Sequence, residues 1–264
     1  MSIQIAVDVS DLHCGSDVGL LPPDAESDKG NAIGMNLCQQ WLWSKWEEMQ
    51  DRALSIIGND EFALFINGDA TEGIHHRSPD IVATRIGEHV RYAASALRRL
   101  SERAAKIYVV AGTECHTLDM ETVLAGMLQA EGGKARDKWL VEIHGCLIDA
   151  AHHMGVTSRR YLEASGMGIA LGNARLNYAD AGHRIPRVFL RGHRHCGGWY
   201  SNGHAALGVT GGWQFLTRHG MKVVTDSIPH PSALVLDWRG QPFGALPQHH
   251  LLKFDPPPHE TAII

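Results

Sequence analysis

The 264-residue sequence predicts an α/β fold built around a parallel sheet. Short apolar runs alternate with stretches of helical periodicity, as in successive βαβ units. Each early apolar run closes on a Gly or a polar residue, where such sheets present functional side chains. Histidine occurs 17 times and clusters with Asp and Gly at these same run ends.

The elements follow in order. Residues 3–9 form a β-rich run ending at Ser10-Asp11, and residues 16–31, rich in Gly, Pro and Asp, read as a long loop. Between 35 and 57, Leu37, Trp41, Leu42, Leu54 and Ile57 recur at helical spacing, and Gly58-Asn59-Asp60 supplies a stop. A second strand spans 62–66 and closes on Asn67-Gly68-Asp69. The scheme repeats with a helix over 81–105, a strand over 106–111, a turn over 112–116 and a helix over 120–129. Two further strands, 146–151 and 187–191, end in His152-His153 and Gly192-His193. After Gly197, short β-like runs at 207–210, 222–224 and 233–238 suggest a second, more antiparallel sheet. A single domain over 1–254 with a loose Pro-containing tail over 255–264 is expected.

The composition, 44% hydrophobic and 20% charged, is that of a globular chain with one large core. A formal charge of −5 provides no global attraction to a phosphate backbone, so nucleic-acid binding would need a local basic patch. The five cysteines are scattered without a zinc-knuckle spacing and read as thiols of a reducing compartment. No stretch approaches the roughly 20 apolar residues of a membrane span. The expectation is a cytoplasmic protein without a membrane partner.

Four constellations carry chemistry. In Asp11-Leu12-His13 the polar residues stand at i and i+2, which in extended backbone puts a carboxylate beside an imidazole. Alone, that triplet reads more often as a capping Asp with a surface His. Asp69 leaves a fully apolar strand, where a carboxylate needs hydrogen bonds or a cation; a helix N-cap is the bland reading. Gly192-His193-Arg194-His195 repeats the i, i+2 logic with two imidazoles, and the Gly permits close backbone approach. His152-His153 offers another. Lesser candidates are His75-His76 and Arg159-Arg160, with His76 and Arg159 as substrate contacts or solvated surface groups. Trp41, Trp43 and Trp46 fit core packing better than base stacking.

In order, D-x-H, G-D-x-x-E, a polar G-rich turn, H-H and G-H-x-H resemble the pattern of the calcineurin-like metallophosphoesterase superfamily over about Asp11 to His195. That resemblance implies a four-layer α/β/β/α sandwich and a phosphoester hydrolase using two divalent metal ions, Mn²⁺ first, with Fe or Zn²⁺ also suitable. It implies Asp11, His13 and His195 on the first metal, Asp69 as the bridging carboxylate, and His152, in preference to His153, with His193 on the second. The substrate implied is a phosphoester, with DNA or a nucleotide foremost. The departure is Gly112-Thr113-Glu114-Cys115-His116, where the family shows G-N-H and an acid. Either a remodelled turn makes Glu114 a ligand of the second metal and His116 the catalytic general acid, or the site has lost part of its catalysis and the fold serves as a metal-binding scaffold for protein interaction; within catalysis, a phosphodiesterase leads and a phosphomonoesterase is the alternative. Such a turn also looks similar to that of bacteriophage phosphoesterases, a likeness carried by no motif.

Overall fold

The computed structural model describes residues 2–74, 80–117, 119–154, 163–217 and 229–257. The chain runs β1 (Ile5–Val9), α1 (Leu37–Ile57), β2 (Phe62–Asn67), α2 (Ile86–Ser101), β3 (Lys106–Val110), α3 (Glu114–Thr117) and α4 (Met120–Met127). It continues through β4 (Lys138–Ile143), β5 (Cys146–Ala151), α5 (Glu163–Asp180), β6 (Val188–Arg191), β7 (Gly198–Ser201), β8 (Ala206–Val209), β9 (Ser232–Asp237) and β10 (Gln248–Lys253).

Two five-stranded sheets result, ordered β10-β9-β1-β2-β3 and β4-β5-β6-β8-β7. In the first, β1, β2 and β3 are parallel, and β9 joins β1 antiparallel; in the second, β5, β6 and β8 are parallel. The sheets face each other over Ala6, Phe65, Tyr108, Leu234 and Trp238 from one and Trp139, Ile148, Val188 and Leu190 from the other. Leu42, Trp46 and Ala53 of α1, with Ala93 and Leu97 of α2, cover the outer face of the first sheet. Met167 and Leu171 of α5 cover Phe189, Leu207 and Val209 of the second. This is a four-layer α/β/β/α sandwich, the architecture that the resemblance implied.

Local chemistry explains where elements begin and end. Asn36 and Gln39 form a reciprocal capping box at the start of α1, a device of about 1 kcal/mol, and Gly58 ends the helix at φ 65°. The helix expected from residue 81 begins at Ile86 instead. Residues before it are captured by the long loop: Asp28 accepts from the backbone of Thr84 and Arg85, and Ser16 bridges Ile81. Trp46 is buried and donates to the Ala96 carbonyl, while Trp41 and Trp43 pack half-buried against the same core.

The second half corrects the expectation of a separate antiparallel sheet. Strands β7 and β8 complete the sheet of β4–β6, while β9 and β10 return to the sheet of β1. Strand β4 and helix α5 were not foreseen. His144-Gly145 joins β4 to β5 with φ of 49° and 74°, the two-residue hairpin geometry that Asn-Gly more often marks. Helix α5 contains Gly166, Gly168 and Gly172, which read as breakers, yet Met167 and Leu171 bury one face, so packing overrides propensity. The expected strand 222–224 lies outside the described residues, as does most of the tail. No helix among the described residues is long and apolar enough to cross a membrane. Cys14, Cys38, Cys146 and Cys196 are free thiols.

Candidate metal centre

The carboxyl ends of β1, β2, β5 and β6 converge on one spot and deliver the predicted donors there. The loops behind β1 and β2 are zipped together by backbone bonds from Asp11 to Gly68, His13 to Asp69 and Cys14 to Ala70. Gly192 donates to His152, tying in the loops of β5 and β6. Extended backbone is not what pairs the i and i+2 residues. Asp11, His13, Asp69, His193 and His195 all adopt positive φ, between 47° and 70°. Each such non-Gly residue costs about 1–3 kcal/mol, which the surrounding bonds must offset, and such conformations concentrate at functional sites.

Asp11, His13 and His195 bring one donor atom each within 4.8 Å of one another; Asp11, Asp69 and His152 do so too, as do His152, His153 and His193, and His13, Glu72 and His116. The three residues shared between groups, Asp11, His13 and His152, make the cluster continuous. His152 is buried between Asp11 and Asp69, whereas His153 is exposed. His153 shares a donor group with His152 and His193, its ring 4.7 Å from that of His193.

Hydrogen-bond partners constrain the protonation of the buried rings. His152 Nδ1 lies 2.7 Å from the Asn67 carbonyl, which can only accept, so Nδ1 carries the hydrogen. In a neutral ring, Nε2 then points a lone pair at the Asp69 carboxylate 3.0 Å away. Only a second proton or a cation makes that contact attractive. Burial opposes the proton, but the Asp69 bond and the Asp11 and Asp69 charges outweigh it and raise the His152 pKa to about 10. His13 repeats the pattern: Nδ1 donates to Glu72 at 2.8 Å, leaving Nε2 aimed at His195 Nε2, 3.1 Å away. The charges explain why the carboxylates tolerate burial. The bond from His195 and the charge of His152 hold Asp11 low against desolvation, and the bond from His152 does the same for Asp69. The Asp and imidazole donors, with ring nitrogens facing acceptors, fit divalent metal ions.

Three residues that sequence reasoning did not assign support this set. Glu72 takes the Nδ1 hydrogen of His13 and an amide hydrogen of Gln214 at 2.8 Å, the carboxylate–histidine arrangement that orients metal-binding rings. Its place in G-D-x-x-E was the available signal. Gln214 had none, since it reaches the site from 142 residues beyond Glu72. Glu121, on α4, accepts from the backbone of Ala70 and Gly112. Burial and the neighbouring Asp69 charge raise its pKa to about 8.

The altered turn is remodelled, with its members in different places from those expected. Thr113 donates to Asp69 from both its backbone nitrogen, at 2.6 Å, and its hydroxyl, at 3.0 Å. Gly112 is required beside it: a Cβ there would lie 2.2 Å from the Asp69 carboxylate. Glu114 does not join the donors; it is exposed at the head of α3 and stands in none of the four donor groups found among the described residues. His116 is brought in, its ring 4.8 Å from that of His13 and its Nδ1 3.0 Å from the Glu72 carbonyl. Burial and the His13 charge pull its pKa down. His76 and Arg159 lie outside the described residues.

No protein-family model matches the chain, and no curated protein does. Solved structures are similar over almost the whole length at low identity. Wild-type Vps29 complexed with Zn²⁺ from Entamoeba histolytica is 11% identical with a TM-score of 0.44, covering 95% of this chain and 99% of that one. Vacuolar Protein Sorting 29 from Cryptosporidium parvum is 11% identical with a TM-score of 0.47, covering 96% and 98%. A novel archaeal phosphodiesterase is 11% identical with a TM-score of 0.45, covering 95% and 99%.

Proposed function

We propose that the protein is a two-metal-dependent phosphoester hydrolase, and within that class a phosphodiesterase acting on nucleic acid or a nucleotide. The observation that carries this reading is the convergence of donors at one spot: Asp11, His13 and His195 bring one atom each within 4.8 Å of one another, as do Asp11, Asp69 and His152, and His152, His153 and His193. That donor set suits two cations. In this reading Asp11, His13 and His195 hold one ion, His152 and His193 hold the other, and Asp69 reaches both.

Two divalent ions, Mn²⁺ foremost and Fe or Zn²⁺ next, would supply an activated water and neutralise phosphoryl charge when bound. The protein's own residues do the rest. Thr113 fixes the rotamer of Asp69 through two hydrogen bonds. Glu72 sets the tautomer of His13, leaving Nε2 for the ion. His116, held at Nδ1 beside His13, would serve as the general acid toward the leaving oxygen. His153 and His193 are exposed, with their rings 4.7 Å apart, on the side of the cluster that would meet substrate.

The test is hydrolysis of bis-p-nitrophenyl phosphate against p-nitrophenyl phosphate in added Mn²⁺. Diester cleavage that falls by about 1,000-fold in Asp69→Asn is the expected outcome, since the bridging carboxylate serves both ions. Preferential cleavage of the monoester would make the protein a phosphomonoesterase. Two bound Mn²⁺ with neither ester cleaved would make it a metal-holding scaffold for protein interaction.

A further inference from the structure

Glu121 sits in the first turn of α4 with 1% of its surface exposed, and neither the donor groups nor the proposed chemistry uses it. Its carboxylate accepts from the Ala70 nitrogen at 3.2 Å and from the Gly112 nitrogen at 2.5 Å. Ala70 follows Asp69 directly. Gly112 precedes Thr113, which donates twice to Asp69. One buried carboxylate therefore fastens the loop after β2 to the turn after β3, and Asp69 is clamped where they meet.

A carboxylate is an expensive clamp here. It is fully desolvated and has a like charge, Asp69, beside it, so an uncharged acceptor would hold the two nitrogens at lower cost. The cost falls when cations occupy the centre, because the buried carboxyl groups around it, Asp11, Asp69, Glu72 and Glu121, then face compensating charge. We infer that Glu121 is a positioning residue of the metal centre: its two oxygens, each holding one loop, orient the bridging carboxylate so that the centre takes two divalent ions rather than one. This rests on the two-metal reading. Groups in such a layer typically change metal affinity about 10- to 100-fold when replaced.

The experiment uses the metal-stripped full chain titrated with Mn²⁺ and read by calorimetry and by electron paramagnetic resonance, where two ions sharing a bridging ligand give a spin-coupled signal. The variants are Glu121→Gln and Glu121→Asp. The expected result is that Gln weakens the second Mn²⁺ by about tenfold or more and loses the coupled signal at concentrations that saturate the parent. Asp, which keeps the carboxyl group but is one methylene shorter, retains part of both. Metal-free melting of the two variants identifies any general loss of fold, which would lower both ions equally, and should Gln fail to fold, the Asp variant alone decides. Parent-like affinity and coupling in Gln, or equal loss of both ions in a folded variant, would overturn the inference. If the parent itself binds fewer than two Mn²⁺, the two-metal reading fails, and the inference falls with it.

Discussion

The two corners of the donor cluster are built differently. The corner of Asp11, His13 and His195 is locked from beneath: Ser10 and the His193 nitrogen bind the Asp11 carboxylate, and Glu72 holds His13 while Gln214 holds Glu72. The corner of His152 and His193 rests on one buried ring, with His193 exposed and a 3.4 Å contact to the Thr113 hydroxyl. Donors of the same chemical type are thus unequal in their support. The locked corner suits permanent occupancy, and the open one suits exchange with solvent and substrate.

The largest test of that contrast is stability without metal. His13→Ala leaves Glu72 buried with a lost ionic partner, and urea unfolding of the metal-stripped protein should show a loss of about 3 kcal/mol. His193→Ala, at an exposed position, should cost less than about 0.5 kcal/mol. Equal losses would erase the distinction between the corners.

Next in size is the choice within the His pair. Mn²⁺ binding to His152→Ala should weaken by at least about 100-fold at one site, because the ring touches both acids, while His153→Ala should change it less than about threefold. A reversal would move the ligand to the rim.

The smallest effect is one of pH. The His152 pKa is raised from 6.5 to about 10, so protonation stabilises the metal-free fold fully below 6.5, and that contribution is lost as pH rises through 10. Metal takes the place of the same proton. Mn²⁺ affinity should therefore rise by about tenfold per unit between pH 7 and 9 while metal-free stability declines. Affinity that is flat with pH would mean that His152 carries no proton to displace.

Much of this was legible in the sequence where local and global demands agree. Candidate donors emerge from strand ends beside Gly68 and Gly192, so an apolar run followed by Gly and a donor marks both the strand and the cluster. The glycines of α5 and the His-Gly turn before β5 misled because tertiary packing overrode local preference there. Glu114 had the right chemistry and strand end, but the turn coils into α3 and leaves it facing solvent, while Thr113 hydrogen-bonds Asp69. The second layer was the least legible. Glu121 acts on backbone nitrogens, and backbone nitrogens have no sequence signature.

The pairing of β1 with β9 has a consequence for how the site comes into being. Asp8 lies opposite Leu234, so the strand that presents Asp11 waits for a partner encoded more than two hundred residues later. During synthesis on the ribosome, β1 can pair with β2 early, yet its other edge stays open until β9 has emerged. Assembly of the donor cluster is thereby coupled to synthesis through β9, and a chain released before β9 carries an unsatisfied sheet edge prone to aggregation or proteolysis.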